Sequence, residues 1–246
     1  MCHEPTSVGL PESIGVGKGT VLLEDFDRAD AIFIFGQNPG TNSPRMLTSL
    51  RDAARRGARI ISFNPLRERA LERFQSPQSP VEMASMSSTP ISDSIYQLRI
   101  GSDAAVLKGL MKAILEADDA ALEGDLPRFL DYAFIAGHTA GFEAVATDLR
   151  ATAWGDIERK SGLDRAMLLV RLPYHLSVLT QAAGVYMTAE RAILVYGMGV
   201  TQHRRGAEVV QQVANLALMR GNVGREGAGI CPVRGHSNVQ GDRTMG

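Results

Sequence analysis

Ala31-Ile32-Phe33-Ile34-Phe35-Gly36-Gln37-Asn38-Pro39-Gly40 is the stretch that decides the fold. Five apolar residues run without alternation and stop at a Gly-x-Asn-Pro-Gly corner. A short apolar run bounded by turn residues describes a strand buried on both faces, as in a parallel sheet with helices on each side. In open α/β sheets, ligands sit beyond the carboxyl ends of such strands. The arrangement recurs at Ala192–Tyr196, which is followed by Gly197-Met198-Gly199. Two strand ends tipped with bare backbone predict a site for a phosphate-bearing ligand.

Working outward, residues 21–30 read as a short helix leading into the first strand. Residues 44–56 place Met46, Leu47, Leu50, Ala53 and Ala54 on one helical face, with Ser43 as N-cap, Pro44 at the first position and Gly57 closing the helix. Arg59–Phe63 is the next buried strand, ending at Asn64-Pro65, which completes a βαβ unit whose crossover is expected to be right-handed. Residues 1–20 read as loop plus at most a short helix, and the Ser- and Pro-rich residues 75–94 as a mobile surface insertion. Residues 95–100 form a third candidate strand. Gly101-Ser102-Asp103 then leads into a helix to about Asp118, capped by Ser102 or Asp103. Residues 126–182 read as helical pieces broken by glycines and Pro173, and residues 204–219 as a last helix ended by Gly221. The tail, 223–246, reads as irregular and as leading to a further domain. The repeated β-loop-α order predicts an α/β fold over residues 1–246. It is a doubly wound, mostly parallel sheet with helices on both faces, Rossmann-like.

The 246 residues are 44% hydrophobic and 22% charged, with a net charge of −1, the balance of an ordinary globular chain with no electrostatic bias toward nucleic acid or anionic membranes. No apolar run approaches the roughly 18 residues needed to span a bilayer. Two cysteines, Cys2 and Cys231, make no disulfide framework, so a reducing, cytoplasmic compartment is expected. The opening Met1-Cys2-His3-Glu4-Pro5 lacks the basic and apolar regions of a signal peptide and is what an excised domain would show.

Several residues have chemistry to offer. Gly36 and Asn38, with Thr41 nearby, can present backbone and side-chain donors to a phosphate, although a tight turn needing glycine explains the same letters. Asn64 ends the second strand where such folds place a ribose contact, and Asn before Pro is equally a turn former. Cys2-His3 pairs a thiol with an imidazole, a nucleophile or soft metal ligand, or else a cysteine without a role. Arg234, in Cys231-Pro-Val-Arg-Gly-His236-Ser-Asn, can offer its planar fork to a carboxylate or simply be a solvated loop residue. His138, His175 and His203 lack partners at metal-ligand spacing and read as structural. There is no Cys-x-x-Cys array, Walker A loop or Gly-x-Ser-x-Gly elbow.

Taken together, Cys-His-x-Pro-Thr-Ser-Val at the start, F-I-F-G-Q-N-P, the strand ending F-N-P, L-R-I-G-S-D, G-M-G-V-T-Q and G-N-V-G-R-E-G-A-G-I-C-P-V-R-G-H-S-N-V-Q-G resemble the catalytic subunit of formate dehydrogenase-type molybdopterin oxidoreductases, in the dimethyl sulfoxide reductase superfamily. The resemblance runs along nearly the whole chain. It implies a molybdenum ion, or tungsten in its place, held by two molybdopterin guanine dinucleotides. Cys2 is then the thiolate ligand, His3 a proton acceptor beside the metal, and Arg234 the anchor of the substrate carboxylate. Gly36, Asn38, Asn64, Gly101, Ser102, Gly197, Met198, Gln202, Gly235, His236 and Asn238 fall where the family contacts its guanine dinucleotides.

The family's 4Fe-4S cluster cysteines lie upstream of the metal-ligand segment and have no counterpart here, and its later domains are missing. The resemblance therefore implies the central α/β domain of a larger subunit, inactive in isolation, with the remaining domains and an electron-transfer protein as partners. Residues near 167–188 look like an insertion relative to well-known formate dehydrogenases. The Cys-His order with Arg234 favours formate over nitrate as substrate. The competing reading is a non-catalytic module that binds a nucleotide or pterin.

Overall fold

Ala31–Phe35 (β1) is buried at every position, and so is Ala192–Tyr196 (β6). Both are strands, as is Arg59–Phe63 (β2). The computed structural model describes residues 2–165 and 182–236, together with positions 238, 239, 241 and 245. The other strands are Arg73–Phe74 (β3), Thr89–Pro90 (β4), Ser94–Tyr96 (β5) and Gly229–Pro232 (β7). Five of them form one sheet in the order β5-β2-β1-β6-β7, every neighbouring pair parallel. β3 and β4 pair antiparallel in a small separate ribbon.

Alternate residues of the central strands enter two cores. Phe33, Phe35, Phe63, Leu194 and Tyr196 pack with the helices Asp103–Glu123 and Gly206–Leu218 on one face. Ile32, Ile34, Ile60, Ile193 and Val195 face the helix Met46–Arg56 and Phe26 on the other. Each fully buried side chain of this size contributes roughly 1.5–3 kcal/mol relative to exposure. The expected α/β architecture, a parallel sheet with helices on both faces, is the one observed.

Several local expectations need correction. Glu4–Ile14 is a full helix despite carrying Gly9 and Pro11. It packs along Gly206–Leu218, and a Cβ on Gly9 would lie 2.7 Å from the Ala207 carbonyl oxygen, so glycine permits the close approach. Residues 21–30 hold a 3₁₀ turn, Leu23–Asp27, rather than an α-helix. Ser43 does not cap Met46–Arg56: Arg45 holds the N-cap position and Ser43 offers the helix start only its carbonyl, to the Met46 amide; Gly57, at φ 98°, does close that helix. Residues 75–94 are organised around a buried carboxylate, Glu82, which accepts from the Ser76 amide, Arg51 and Arg55. The third strand is Ser94–Tyr96 rather than 95–100. The tail is not wholly irregular either, since β7 extends the sheet beside β6. The proposed insertion near 167–188 and His175 fall wholly or largely outside the described residues. Among the described residues, no helix is long and apolar enough to cross a membrane.

Candidate active site at the strand tips

The register aligns the carboxyl ends of the strands. Phe35 pairs with both Phe63 and Tyr196, Tyr196 with Pro232, and Phe63 with Tyr96. The residues that follow therefore stand in a row: Gln97, Asn64, Gly36, Gly197 and Val233. Below them Phe35, Phe63 and Tyr96 form a stacked ladder, with ring centroids 4.9 and 5.1 Å apart. β1 continues to β2 on one side and borders β6 on the other, which makes the Gly36–Gly197 gap the point where the chain order switches direction.

At that point the glycines are consumed by contact between the two loops. The Gly197 amide donates to Phe35 O at 3.1 Å and the Gly199 amide to Gly36 O at 3.1 Å. Gly36 has φ 54°, and a Cβ there would stand 2.9 Å from the Gly199 carbonyl carbon; one on Gly197 would stand 2.1 Å from Gln37 Oε1. The bare backbone read from sequence is real, and its demonstrated use is to let one tip loop lie against the other.

The amino-terminal thiol comes to the same row. Cys2, 7% exposed, has its Sγ 3.6 Å from Met198 Sδ and accepts a hydrogen bond from the Gly235 amide at 3.1 Å. A Cβ on Gly235 would meet Met198 Cε at 3.1 Å and Cys2 Sγ at 3.5 Å. The Thr201 hydroxyl holds the Cys2 carbonyl at 3.1 Å. Residues 2, 198 and 235, remote in sequence, thus surround one sulfur.

His3 is buried, and burial first, with the Arg234 charge second, pulls its pKa down to about 4. The ring is neutral at physiological pH. Nε2 stands 2.8 Å from the Val233 carbonyl and Nδ1 3.0 Å from Thr6 Oγ1, which is 2.9 Å from the Tyr196 hydroxyl. Arg234 donates from Nη2 to Gly17 O at 2.8 Å, while its buried Nε and Nη1 find no partner among the described residues. Burial, the largest influence, lowers its pKa, against the raising effect of Tyr196 and Cys2. Buried guanidinium N–H groups without a partner among the described residues mark Arg234 as a candidate anion receptor.

The remaining predicted contacts are spread along the same rim. Asn38 caps Pro39–Asn42 by accepting from the Thr41 amide, and Asn64 donates to Leu66 O, both in local turn roles. Ser102 precedes Asp103–Glu123 but gives its hydroxyl to Arg99 O instead of capping. Gly101, at φ 77°, is exposed and lies beside His203, the nearest approach to its Cβ position being 3.6 Å. Gln202 is exposed, with its amide 3.7 Å from Met198 Sδ. His236 and Asn238 are exposed, Asn238 at φ 55°.

Thr6, Tyr196, Val233 and Thr201 were not identified from sequence. Thr6 sits in the opening motif three residues after His3, which is one helical turn. Tyr196 is the one polar-tipped residue of its strand. Only the level strand tips reveal that the two meet.

The arrangement fits a metal cofactor at one end: a buried thiol, a thioether beside it, and an anion receptor next to both. The model of the molybdopterin oxidoreductase family matches residues 17–244. Protein YdeP of Escherichia coli K12 is 54% identical over 246 residues, 100% of this chain and 31% of YdeP. Formate dehydrogenase H of the same organism is 31% identical over 244 residues, 99% of this chain and 29% of that protein. Acetylene hydratase from Pelobacter acetylenicus superposes with a TM-score of 0.67 at 17% identity, over 92% of this chain and 25% of that one, a likeness of fold. The chain spans about a third of the length of the curated relatives it matches. With its sulfur-lined strand tips and a family match along nearly all its length, this chain belongs to the molybdopterin oxidoreductase family, which implies a molybdenum–molybdopterin cofactor.

Proposed function

We propose that this chain is the central α/β domain of a formate dehydrogenase-like oxidoreductase subunit acting on formate or a similar small carboxylate. The observation that carries the reading is the convergence of the Cys2 thiol, the Met198 and Gly235 tips and the Arg234 Nε and Nη1, which have no partner among the described residues. Cys2 supplies a soft thiolate to the metal. The Gly235 N–H, already aimed at Sγ, stabilises the charge on that sulfur. Arg234 binds the substrate carboxylate through an N–H that has no partner among the described residues and orients its C–H bond. His3, neutral, receives the proton released as formate becomes carbon dioxide, on an Nδ1 that gives up the Thr6 hydroxyl to take it. The bis-molybdopterin guanine dinucleotide form of the cofactor, when bound, takes up the electron pair. Its dinucleotide arms would be held by residues of the strand-tip rim, drawn from Gly36, Asn38, Asn64, Gly101, Ser102, Gly197, Met198, Gln202, Gly235, His236 and Asn238. A 4Fe-4S cluster elsewhere in the subunit would supply the route for the electrons to a partner protein in a reducing, cytoplasmic compartment.

The test uses the intact subunit. Molybdenum and pterin content and formate turnover are measured for wild type, Cys2→Ser and Arg234→Ala. Turnover is expected to vanish in both variants, with metal lost in the first and retained in the second. Unchanged turnover in both would refute the roles. An intact subunit without metal would favour a non-catalytic binding module.

A further inference from the structure

Four groups from three remote parts of the chain are hydrogen-bonded in series: the Tyr196 hydroxyl, Thr6 Oγ1, the His3 ring and the Val233 carbonyl, at 2.9, 3.0 and 2.8 Å. The direction of the series follows from the chemistry of its last member. A carbonyl can only accept, so His3 Nε2 carries a hydrogen. In a neutral imidazole Nδ1 is then bare and must accept, so the Thr6 hydroxyl donates to it. The Thr6 oxygen in turn accepts from Tyr196, which is fully buried at the end of β6. Each proton in the series has one place to go.

The series has a mechanical consequence. Val233 is fixed to β6 by its own amide, which donates to Tyr196 O at 2.8 Å. Tyr196 is thus held at both ends of the series, and His3 is gripped between β6 and the residue that follows β7. Cys2 is the neighbour of His3, and its carbonyl is held separately by Thr201. Fixing the ring therefore fixes where the thiol stands against Gly235 and Met198.

We propose that Thr6 and Tyr196 are positioning residues, whose hydroxyls lock His3 in the Nε2–H tautomer and so clamp the Cys2-His3 turn to the tip of β7. This deepens the functional reading above, on which it rests for what Cys2 does; the clamp itself needs no metal.

The experiment uses the intact polypeptide labelled with 15N in histidine alone, with the His3 signals assigned by their loss in His3→Gln. At neutral pH, wild type is expected to show His3 Nε2 as a protonated nitrogen and Nδ1 as a bare, hydrogen-bonded one. In Thr6→Val, Nδ1 moves toward the free-imidazole position, and alkylation of Cys2, read by peptide mass separately from the half-buried Cys231, accelerates about tenfold, the factor one lost hydrogen bond supplies. Thr6→Ser, which keeps the hydroxyl, restores both readouts, and Tyr196→Phe moves them in the same direction by less. An Nδ1–H tautomer in the wild type would overturn the proposal, as would Thr6→Val with wild-type ring shifts and thiol reactivity. Loss of metal binding by the intact subunit, with the tautomer as stated, would remove the functional reading and leave the clamp standing.

Discussion

Gly235 carries a hydrogen where any other residue would push a carbon toward Met198 and Cys2. The nearest obstacle, Met198 Cε at 3.1 Å, is the end of a flexible side chain, so Gly235→Ala is expected to cost under about 1 kcal/mol of stability. It also displaces the two sulfurs. Turnover of the intact subunit is therefore expected to fall by about a hundredfold while its thermal melt hardly moves. Asp103 makes a separate prediction. Burial raises its pKa from 3.8 to about 6, against the lowering influence of its own amide and of His203. A carboxyl with a higher pKa folded than unfolded favours folding while protonated. Its contribution is full below the unfolded value and is lost as pH rises toward 6, by up to about 3 kcal/mol. Denaturant titrations from acid to neutral pH should show Asp103→Asn gaining stability over wild type across that window. A difference independent of pH would contradict this.

Among the elements, Glu4–Ile14 owes its place to packing rather than propensity. Gly9→Ala adds a better helix former, worth about 1 kcal/mol, but drives a Cβ to 2.7 Å from the Ala207 backbone oxygen, which cannot yield without moving a helix. Net destabilisation of about 1–2 kcal/mol is expected in a denaturant melt, because the clash outweighs the propensity. Residues 75–94 depend on Glu82. Its acidity is strengthened first by the Ser76 amide, then by Arg55 and Arg51, which outweigh burial. Glu82→Ala should leave the sheet intact and speed hydrogen exchange of the Ser76 amide at least about tenfold, since the segment has its own local opening equilibrium. Exchange at the wild-type rate would show that Glu82 does not hold the segment.

At the scale of the whole molecule, the site exists because parallel strands in register end at one level and the chain reverses its order between β1 and β6. The two tip loops fill the resulting crevice by lying against each other. Gly36→Ala meets backbone at 2.9 Å and a left-handed φ at once, so it is expected to destabilise the domain by about 2–3 kcal/mol and to lower the molybdenum content of the intact subunit. A melt and a metal assay on the same preparation check both outcomes. Cys231, half-buried in β7, is followed as a second thiol in all such measurements; desolvation pushes its pKa up to about 12, which keeps its thiolate fraction low.

The sequence by itself determined the central strands, whose bounds at Arg59–Phe63 and Ala192–Tyr196 follow from apolar runs that only a doubly covered sheet can bury. It also singled out Cys2, Met198, Arg234 and Gly235, which lie in long, distinctive motifs and three of which the fold brings around one sulfur at the strand tips. Tertiary structure alone decided what local preference opposes or does not encode. A helix through Gly9 and Pro11 forms because a neighbour covers it. β7, with glycine and proline at its ends, becomes a strand because β6 offers an open edge. Residues 75–94 acquire order from two arginines on another element. The glycines of the tip loops pack loop against loop, and the hydroxyls of Thr6 and Tyr196, 190 positions apart, meet because strand register is a property of the sheet and not of any one segment.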